Sequence, residues 1–287
     1  MVLDQLEATL KKQWRLGQSI VLCCAFDTDS LLTIVISHDF LGNFKSPNHV
    51  SGEGLNNGDF IRQLISGSRF KAHDEIFENA GRCGAAPSFI KLDSPLHSGE
   101  ASIQMIDEMI KRYNVGHEES RAVALFDIVD FSLYRLFEQA SQLNSLSYSM
   151  NPICSRLKRE GVEINFARTT TGDGYYVWNR DLGAFPNLDL LTFFLLVLID
   201  SAVAREKSQV GTVPTLRSAF HIGSHYVLSQ AEGINPTVFS YIVGDVRIKL
   251  ARSIEVTHKH DMSQGAQNVG FAIGLEGLPL ALGMRNR

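Results

Sequence analysis

The sequence predicts an α+β protein: a mixed, mainly antiparallel sheet with flanking helices, preceded by a small α/β N-terminal region. Three observations lead there. Beyond Glu118 the periodicities run strand, helix, strand, turn, strand, helix, strand, the order of a layered sheet with helices packed on it. Several of these runs are joined by hairpin-length turns such as TTTGDG, which favours antiparallel neighbours. The first strand of this half, RAVALFDIVDFS, begins as an almost continuous apolar run, the pattern of a buried central strand.

Taken in order, Leu3, Leu6, Leu10 and Trp14 recur at helical spacing with charges between them, so the chain opens on an amphipathic helix. SIVLCCAF and LLTIVIS follow as strands around the turn DTDS, where Asp27 and Asp29 are turn formers. From His38 to His97 the pattern weakens into Gly-, Asn-, Pro- and Ser-rich sequence, with one helix near Asp59 to Ile65. Residues 98–113 recover helical periodicity and read as a connector helix. The division is therefore 1–113, a regulatory or dimer-supporting region, and 114–287, a catalytic domain. In the second part come a helix from Leu133 to about Glu160, the strands VEINFAR and YYVW, and a helix from Leu188 to about Lys207. The strands TLRSAFHI, HYVLSQ and VFSYIV precede a helix from Val246 to about Val256, and VGFAI is a last strand.

Composition narrows the function classes. The chain has 287 residues, 44% hydrophobic and 20% charged, and needs neither disulfides nor a structural metal to build its core. A net charge of −4 leaves no electrostatic footprint for duplex nucleic acid or an anionic membrane. Cys23, Cys24, Cys83 and Cys154 form no CxxC and read as reduced thiols of a cytoplasmic protein. The N-terminus carries acids and no apolar core of a signal peptide. The apolar stretch Leu188 to Val203 contains Asp189 and Asp200 and is short for a bilayer, so no integral membrane segment is expected.

Two carboxylates stand out. Asp127 interrupts the apolar strand ALFDIVDF, and Asp173 sits in a Gly-Asp-Gly turn between two strands. A carboxylate in a buried strand costs several kcal/mol unless a cation or hydrogen-bond donors meet it. Asp127 is thus either half of an internal salt bridge or a ligand for a divalent cation; Asp173 is either a turn residue or its fellow ligand.

FDIVDFS, TTTGDGYYV, LRSAFHIG and YIVGDVRIKLARS, in that order, resemble the class III nucleotidyl cyclase family over about residues 118–260. That family carries an F-x-D-I-x-x-F-S/T strand and turn, a K/E-T-x-G-D-x-Y hairpin, an R-x-G-I-H-x-G strand and a G-D-x-V-N-x-A-x-R segment. The resemblance implies a class III cyclase-like palm sandwich and formation of a 3′,5′-cyclic nucleotide and pyrophosphate from a nucleoside triphosphate. It implies two Mg²⁺ or Mn²⁺ ions per site held by Asp127, the Ile128 carbonyl and Asp173. The turn with Phe131 and Ser132 would offer N–H groups to the triphosphate. It also implies a homodimer, or a heterodimer with a related chain, with active sites at the interface. There Thr169, Tyr241 and Arg252 of one subunit would act on the nucleotide bound by the other.

Departures from the family pattern are informative. Thr169 stands where adenylate cyclases have a base-reading Lys and guanylate cyclases a Glu, and Tyr241 stands at the second base-reading position. Neither carries a charge that selects a purine edge, so a pyrimidine triphosphate, UTP or CTP, is favoured, as in bacterial cyclases of anti-phage defence. A gapless match puts Ile248 at the ribose-orienting Asn and Arg252 at the transition-state Arg; one inserted residue puts Lys249 and Ser253 there instead. The first version keeps a cation where phosphate charge develops. Arg247 reads as part of a solvated helix face, His221 as a structural strand residue, and Asp130, where the family has Gly, as a spare ligand or a helix N-terminal acid. His258, His260 and Asp261 read as a polar segment before a zinc site, and Ser132, Ser224 and His225 form no hydrolase triad. Two rival readings remain. One is a cyclase-like module that binds nucleotide without turning it over; the other is a related palm-type polymerase or dinucleotide cyclase, disfavoured by the lack of a GGDEF-like turn.

Overall fold

In the computed structural model the described residues are 2–27, 30–43, 57–92, 99–208, 213–231, 238–264, 270–275 and 278–283. They fall into two units. The first comprises Met1–Glu118 with Tyr226–Ile242, the second Glu119–His225 with Val243–Arg287. The sequence division at residue 113 assigned 226–242 to the second part. The difference arises because two long strands, introduced below, each pass from one unit into the other, which local periodicity cannot reveal.

In the first unit β1 (Ser19–Phe26) and β2 (Ser30–Ser37) pair antiparallel, and β3 (Ser88–Lys91) pairs antiparallel with β2. The helices are α1 (Val2–Trp14), α2 (Phe40–Asn43), α3 (Asn57–Ile65), α4 (His73–Arg82) and α5 (Glu100–Lys111). Val21 and Leu31 face Leu6, Leu10, Ile106 and Ile110 of α1 and α5. Leu22, Leu32 and Ile34 face Ile61, Leu64 and Ile76 of α3 and α4. A bulge between Val21 and Cys23 lets Leu22 and Cys23 share one face. Cys24 then faces the other cluster, so the adjacent cysteines point apart; both are buried and free. The sequence located α1, β1, β2, α3 and α5, and missed α2 and β3, each four residues long, and α4, which lies in Gly- and Ser-rich surroundings.

The second unit is built on β4 (Val115–Ile128), β5 (Phe166–Thr170), β6 (Gly174–Asn179), β7 (Leu216–Ala231), β9 (Gly270–Leu275) and β10 (Leu278–Gly283), while β8 (Val238–Val243) belongs to the first unit but for its last residue. The sheet order is β10-β9-β7-β4-β6-β5, with β8 on β7. The β4–β6, β5–β6 and β9–β10 pairs are antiparallel and β7–β9 is parallel, so the sheet is mixed as expected. Three helices accompany it: α6 (Leu136–Arg159), α7 (Ala184–Lys207) and α8 (Asp245–Gln264).

Ala122, Ala124, Phe126 and Ile128 alternate along β4 and pack on Leu146, Met150 and Leu157 of α6 and on Leu190, Phe193, Phe194 and Val197 of α7. Aromatic contacts knit this core, with Phe126 and Phe194 centroids 5.4 Å apart and Phe166 and Phe193 5.0 Å apart. Asp127, between two core residues on β4, therefore takes the opposite face of the strand. TLRSAFHI and HYVLSQ proved to be one continuous strand, and VEINFAR begins its pairing only at Phe166. α7 has 24 residues, longer than the apolar stretch alone suggested, and by length and composition it could cross a membrane. Its Leu190, Phe193 and Val197 side lies in the core, while Leu188, Leu195 and Ile199 are exposed.

Candidate active site

The site starts from a close approach of two strands. Asp127 of β4 is in register with Gly174 of β6. A Cβ on Gly174 would sit 1.9 Å from the Phe126 carbonyl oxygen, so only glycine fits. The Ile128 N–H donates to the Asp173 carbonyl at 3.0 Å, which fixes the turn against the end of β4. Within the turn the Thr171 N–H donates to the Gly174 carbonyl at 3.0 Å, and Gly172 takes φ +102°, a conformation that glycine adopts without strain. The Asp173 carboxylate accepts the Thr171 hydroxyl at 2.9 Å. The Gly-Asp-Gly pattern thus serves to hold Asp173 beside Asp127.

Asp127 is 8% exposed. Arg217 of β7 donates to it from Nε at 2.9 Å and also from Nη2, both to Oδ2. The internal salt bridge that the sequence left open is therefore present. Its partner lay in the R-x-G-I-H-x-G-like strand and was not picked out as a site residue. The Asp127 carboxyl is nonetheless pushed up to about 6, above all by burial, and also by the Asp173 charge, against the opposing pull of Arg217. One guanidinium does not neutralise two neighbouring carboxylates, and the excess negative charge suits a hard cation with oxygen ligands. Among the described residues no cluster of three His, Cys, Asp or Glu side chains forms, so a metal held here would rest on these two carboxylates and on main-chain oxygens. The residues fit that role. Ile128, whose carbonyl the resemblance offers as a further ligand, is the last residue of β4.

The following turn is tight. Asp130 adopts the left-handed conformation, φ +55°, where the resembled family has Gly; Asp is among the few side chains that tolerate it. It makes no side-chain cap to the short turn Phe131–Leu133. The N–H groups of Val129, Leu133 and Tyr134 donate to Thr215, Asp130 and Phe131 carbonyls; those of Asp130, Phe131 and Ser132 make none of these bonds. A left-handed residue followed by such N–H groups forms a concavity that suits anions. Phe131 is half-buried and Ser132 exposed.

The remaining predicted residues lie elsewhere. Thr169 pairs with Tyr176 across β5 and β6 and is half-buried. Tyr241 is half-buried on β8, in the first unit. Ile248, Lys249 and Arg252 are exposed on α8, and no hydrogen bond or ion pair among the described residues ties them to the two carboxylates. Ser253, the alternative for the transition-state position, donates to the Lys249 carbonyl at 2.8 Å. Arg247 departs from the expected solvated face: its guanidinium stacks over Tyr176 at 4.4 Å, beside the Thr169 pair. His221 is buried in β7, as a structural strand residue would be. Asp29 and the side chains of His258, His260 and Asp261 lie outside the described residues.

No protein-family profile and no curated protein matches the chain. Among solved structures it is similar to the guanylate cyclase domain of RhGC from Catenaria anguillulae in complex with GTP. That match is 16% identical over 55% of this chain and 79% of the other, with a TM-score of 0.40. It is similar also to the adenylyl cyclase CyaB from P. aeruginosa, 11% identical over 61% of this chain and 97% of the other, at 0.38. A bacterial light-regulated adenylyl cyclase matches at 13% identity over 54% of this chain and 75% of the other, also at 0.38. At such identities and scores the activity has to be argued from the site's own residues.

Proposed function

We propose that the chain is a metal-dependent nucleotidyl cyclase. It would convert a nucleoside triphosphate, UTP or CTP in preference to ATP or GTP, to a 3′,5′-cyclic nucleotide and pyrophosphate. The observation that carries this reading is the Asp127–Asp173 pair, two carboxylates held together by strand register with more negative charge than Arg217 balances. Asp127, Asp173 and the Ile128 carbonyl would hold Mg²⁺ or Mn²⁺, whose chemistry is to favour the ionised 3′-hydroxyl and to neutralise the phosphates. In the reaction the 3′-oxygen bonds to the α-phosphorus, the bond from that phosphorus to the pyrophosphate oxygen breaks, and the hydroxyl proton is lost. Arg217 keeps Asp127 oriented and ionised enough to ligate. The turn with Phe131 and Ser132 would take the phosphate chain through its N–H groups. Thr169 and Tyr241 would meet the base, neither with a charge for a purine edge.

The exposed positions of Ile248, Lys249 and Arg252 are suited to a homodimer in which α8 of one subunit serves the other's nucleotide. Arg252 is the favoured transition-state cation. The setting would be cytoplasmic cyclic-nucleotide signalling, with anti-phage defence as its purpose. A second reading, a module that binds nucleotide without converting it, is favoured by Ile248, an apolar residue where the family positions the ribose with Asn. Incubation of the pure protein with Mn²⁺ and each of the four triphosphates separates them. Cyclic UMP or CMP supports the cyclase, preferential conversion of ATP or GTP refutes the base assignment, and tight binding without pyrophosphate release supports the module.

A further inference from the structure

A cavity of about 370 Å³ opens in the second unit between the C-terminal half of α6 and the outer strand β5. Its inner wall is apolar, formed by Met150, Phe166, Val177 and Phe193. The rest of its lining includes three cationic side chains, Lys158, Arg168 and Arg180, and no acidic side chain. In a chain of net charge −4, three cations gathered at one opening form a local field of the opposite sign.

Arg180 is held by donating Nη1 to the Phe166 carbonyl at 3.1 Å, and Asn165 by donating to Asp181 at 3.0 Å. Lys158 and Arg168 make no ion pair among the described residues, although Arg168 lies 5.6 Å from the Tyr175 ring. Burial raises the Cys154 thiol pKa, and the charges of Lys158 and Arg168, which share the lining with it, pull against that rise.

We infer that this cavity binds a small organic anion, an apolar ring or chain bearing one carboxylate or phosphate, at a site separate from Asp127 and Asp173. The volume falls in the lower part of the range of ligand pockets, and the lining has their usual pattern of an apolar body with a few polar anchors. The apolar wall takes the body of the ligand and Lys158 and Arg168 take its charge. The site has a route to the proposed chemistry, since Arg168 is followed on β5 by Thr169 and the strand then leads into the turn that holds Asp173.

Cys154 is a built-in reporter. Cys23, Cys24 and Cys83 are buried, and burial pushes the thiols of Cys23 and Cys83 up to about 12 and about 11. Alkylation of the intact protein by anionic iodoacetate and neutral iodoacetamide, read at the Cys154 peptide by mass spectrometry, measures the field in the cavity. The iodoacetate-to-iodoacetamide rate ratio is expected to exceed that of glutathione by about tenfold. It should fall to the glutathione value in the Lys158→Gln, Arg168→Gln double variant. In the wild-type protein, 1-naphthoate or 1-naphthyl phosphate slows Cys154 alkylation while 1-naphthalenemethanol at the same concentration does not; which anion protects better tells carboxylate from phosphate. A glutathione-like ratio in the wild type, or equal protection by the neutral alcohol, overturns the assignment. None of these readings depends on cyclase activity.

Discussion

Asp127 makes the stability of the metal-free protein depend on pH in a way that can be worked out. Its carboxyl moves from 3.8 to about 6 on folding. Between those values the folded state holds a proton that the unfolded state has released, so stability falls as pH rises through the window. A shift of about two units corresponds to roughly 3 kcal/mol, fully lost by pH 7. Asp127→Asn cannot titrate, so whatever constant cost the amide carries beside Arg217, its stability lacks this component. Urea unfolding of both proteins without divalent ions, from pH 3.5 to 7.5, should show the wild type losing about 3 kcal/mol relative to the variant across pH 4 to 6. Millimolar Mn²⁺ should restore much of that loss at pH 7 in the wild type only. A difference between the two proteins that stays constant with pH would refute the reasoning, because Asp127 would then ionise in the fold as it does in water.

Other consequences are open to measurement. Asp173→Asn removes the like charge beside Asp127 and should lower the Asp127 pKa, seen by carboxyl ¹³C NMR titration, while abolishing Mn²⁺-induced thermal stabilisation. Arg217→Ala leaves a buried carboxylate without its cation and should cost about 3 kcal/mol at pH 7 in urea unfolding, with less lost in Arg217→Lys. Gly174→Ala drives a methyl into the Phe126 carbonyl and should cost at least about 3 kcal/mol, or prevent folding, as measured by circular dichroism melts. Arg247→Ala, which removes the stack on Tyr176, should change melting little but alter base preference if Thr169 meets the base.

Much of the second unit was legible because its signals are local. The continuous apolar run of β4, the Gly-Asp-Gly turn and the core side of α7 each declare themselves in a few residues. The two carboxylates were legible for the same reason, since an acid inside an apolar strand demands compensation. What supplied that compensation was not. Arg217 lies 90 positions from Asp127 and reaches it only through the pairing of β7 with β4. Arg247 looked like a solvated residue because nothing in GDVRIKLARS announces the Tyr176 ring beneath it. The return of 226–242 to the first unit was hidden for the same reason, since strand pairing at long range leaves no periodic trace.

The central claim is that Asp127 and Asp173 form one metal-dependent centre for cyclisation. Its most direct test is product identification by mass spectrometry. Pure wild-type, Asp127→Asn and Asp173→Asn proteins, each shown to be folded, are incubated with Mn²⁺ and UTP, CTP, ATP or GTP. The expected result is a cyclic pyrimidine nucleotide and pyrophosphate from the wild type, and neither from the two variants. A cyclic product that persists in either variant, or none from any triphosphate in folded wild-type protein, would contradict it.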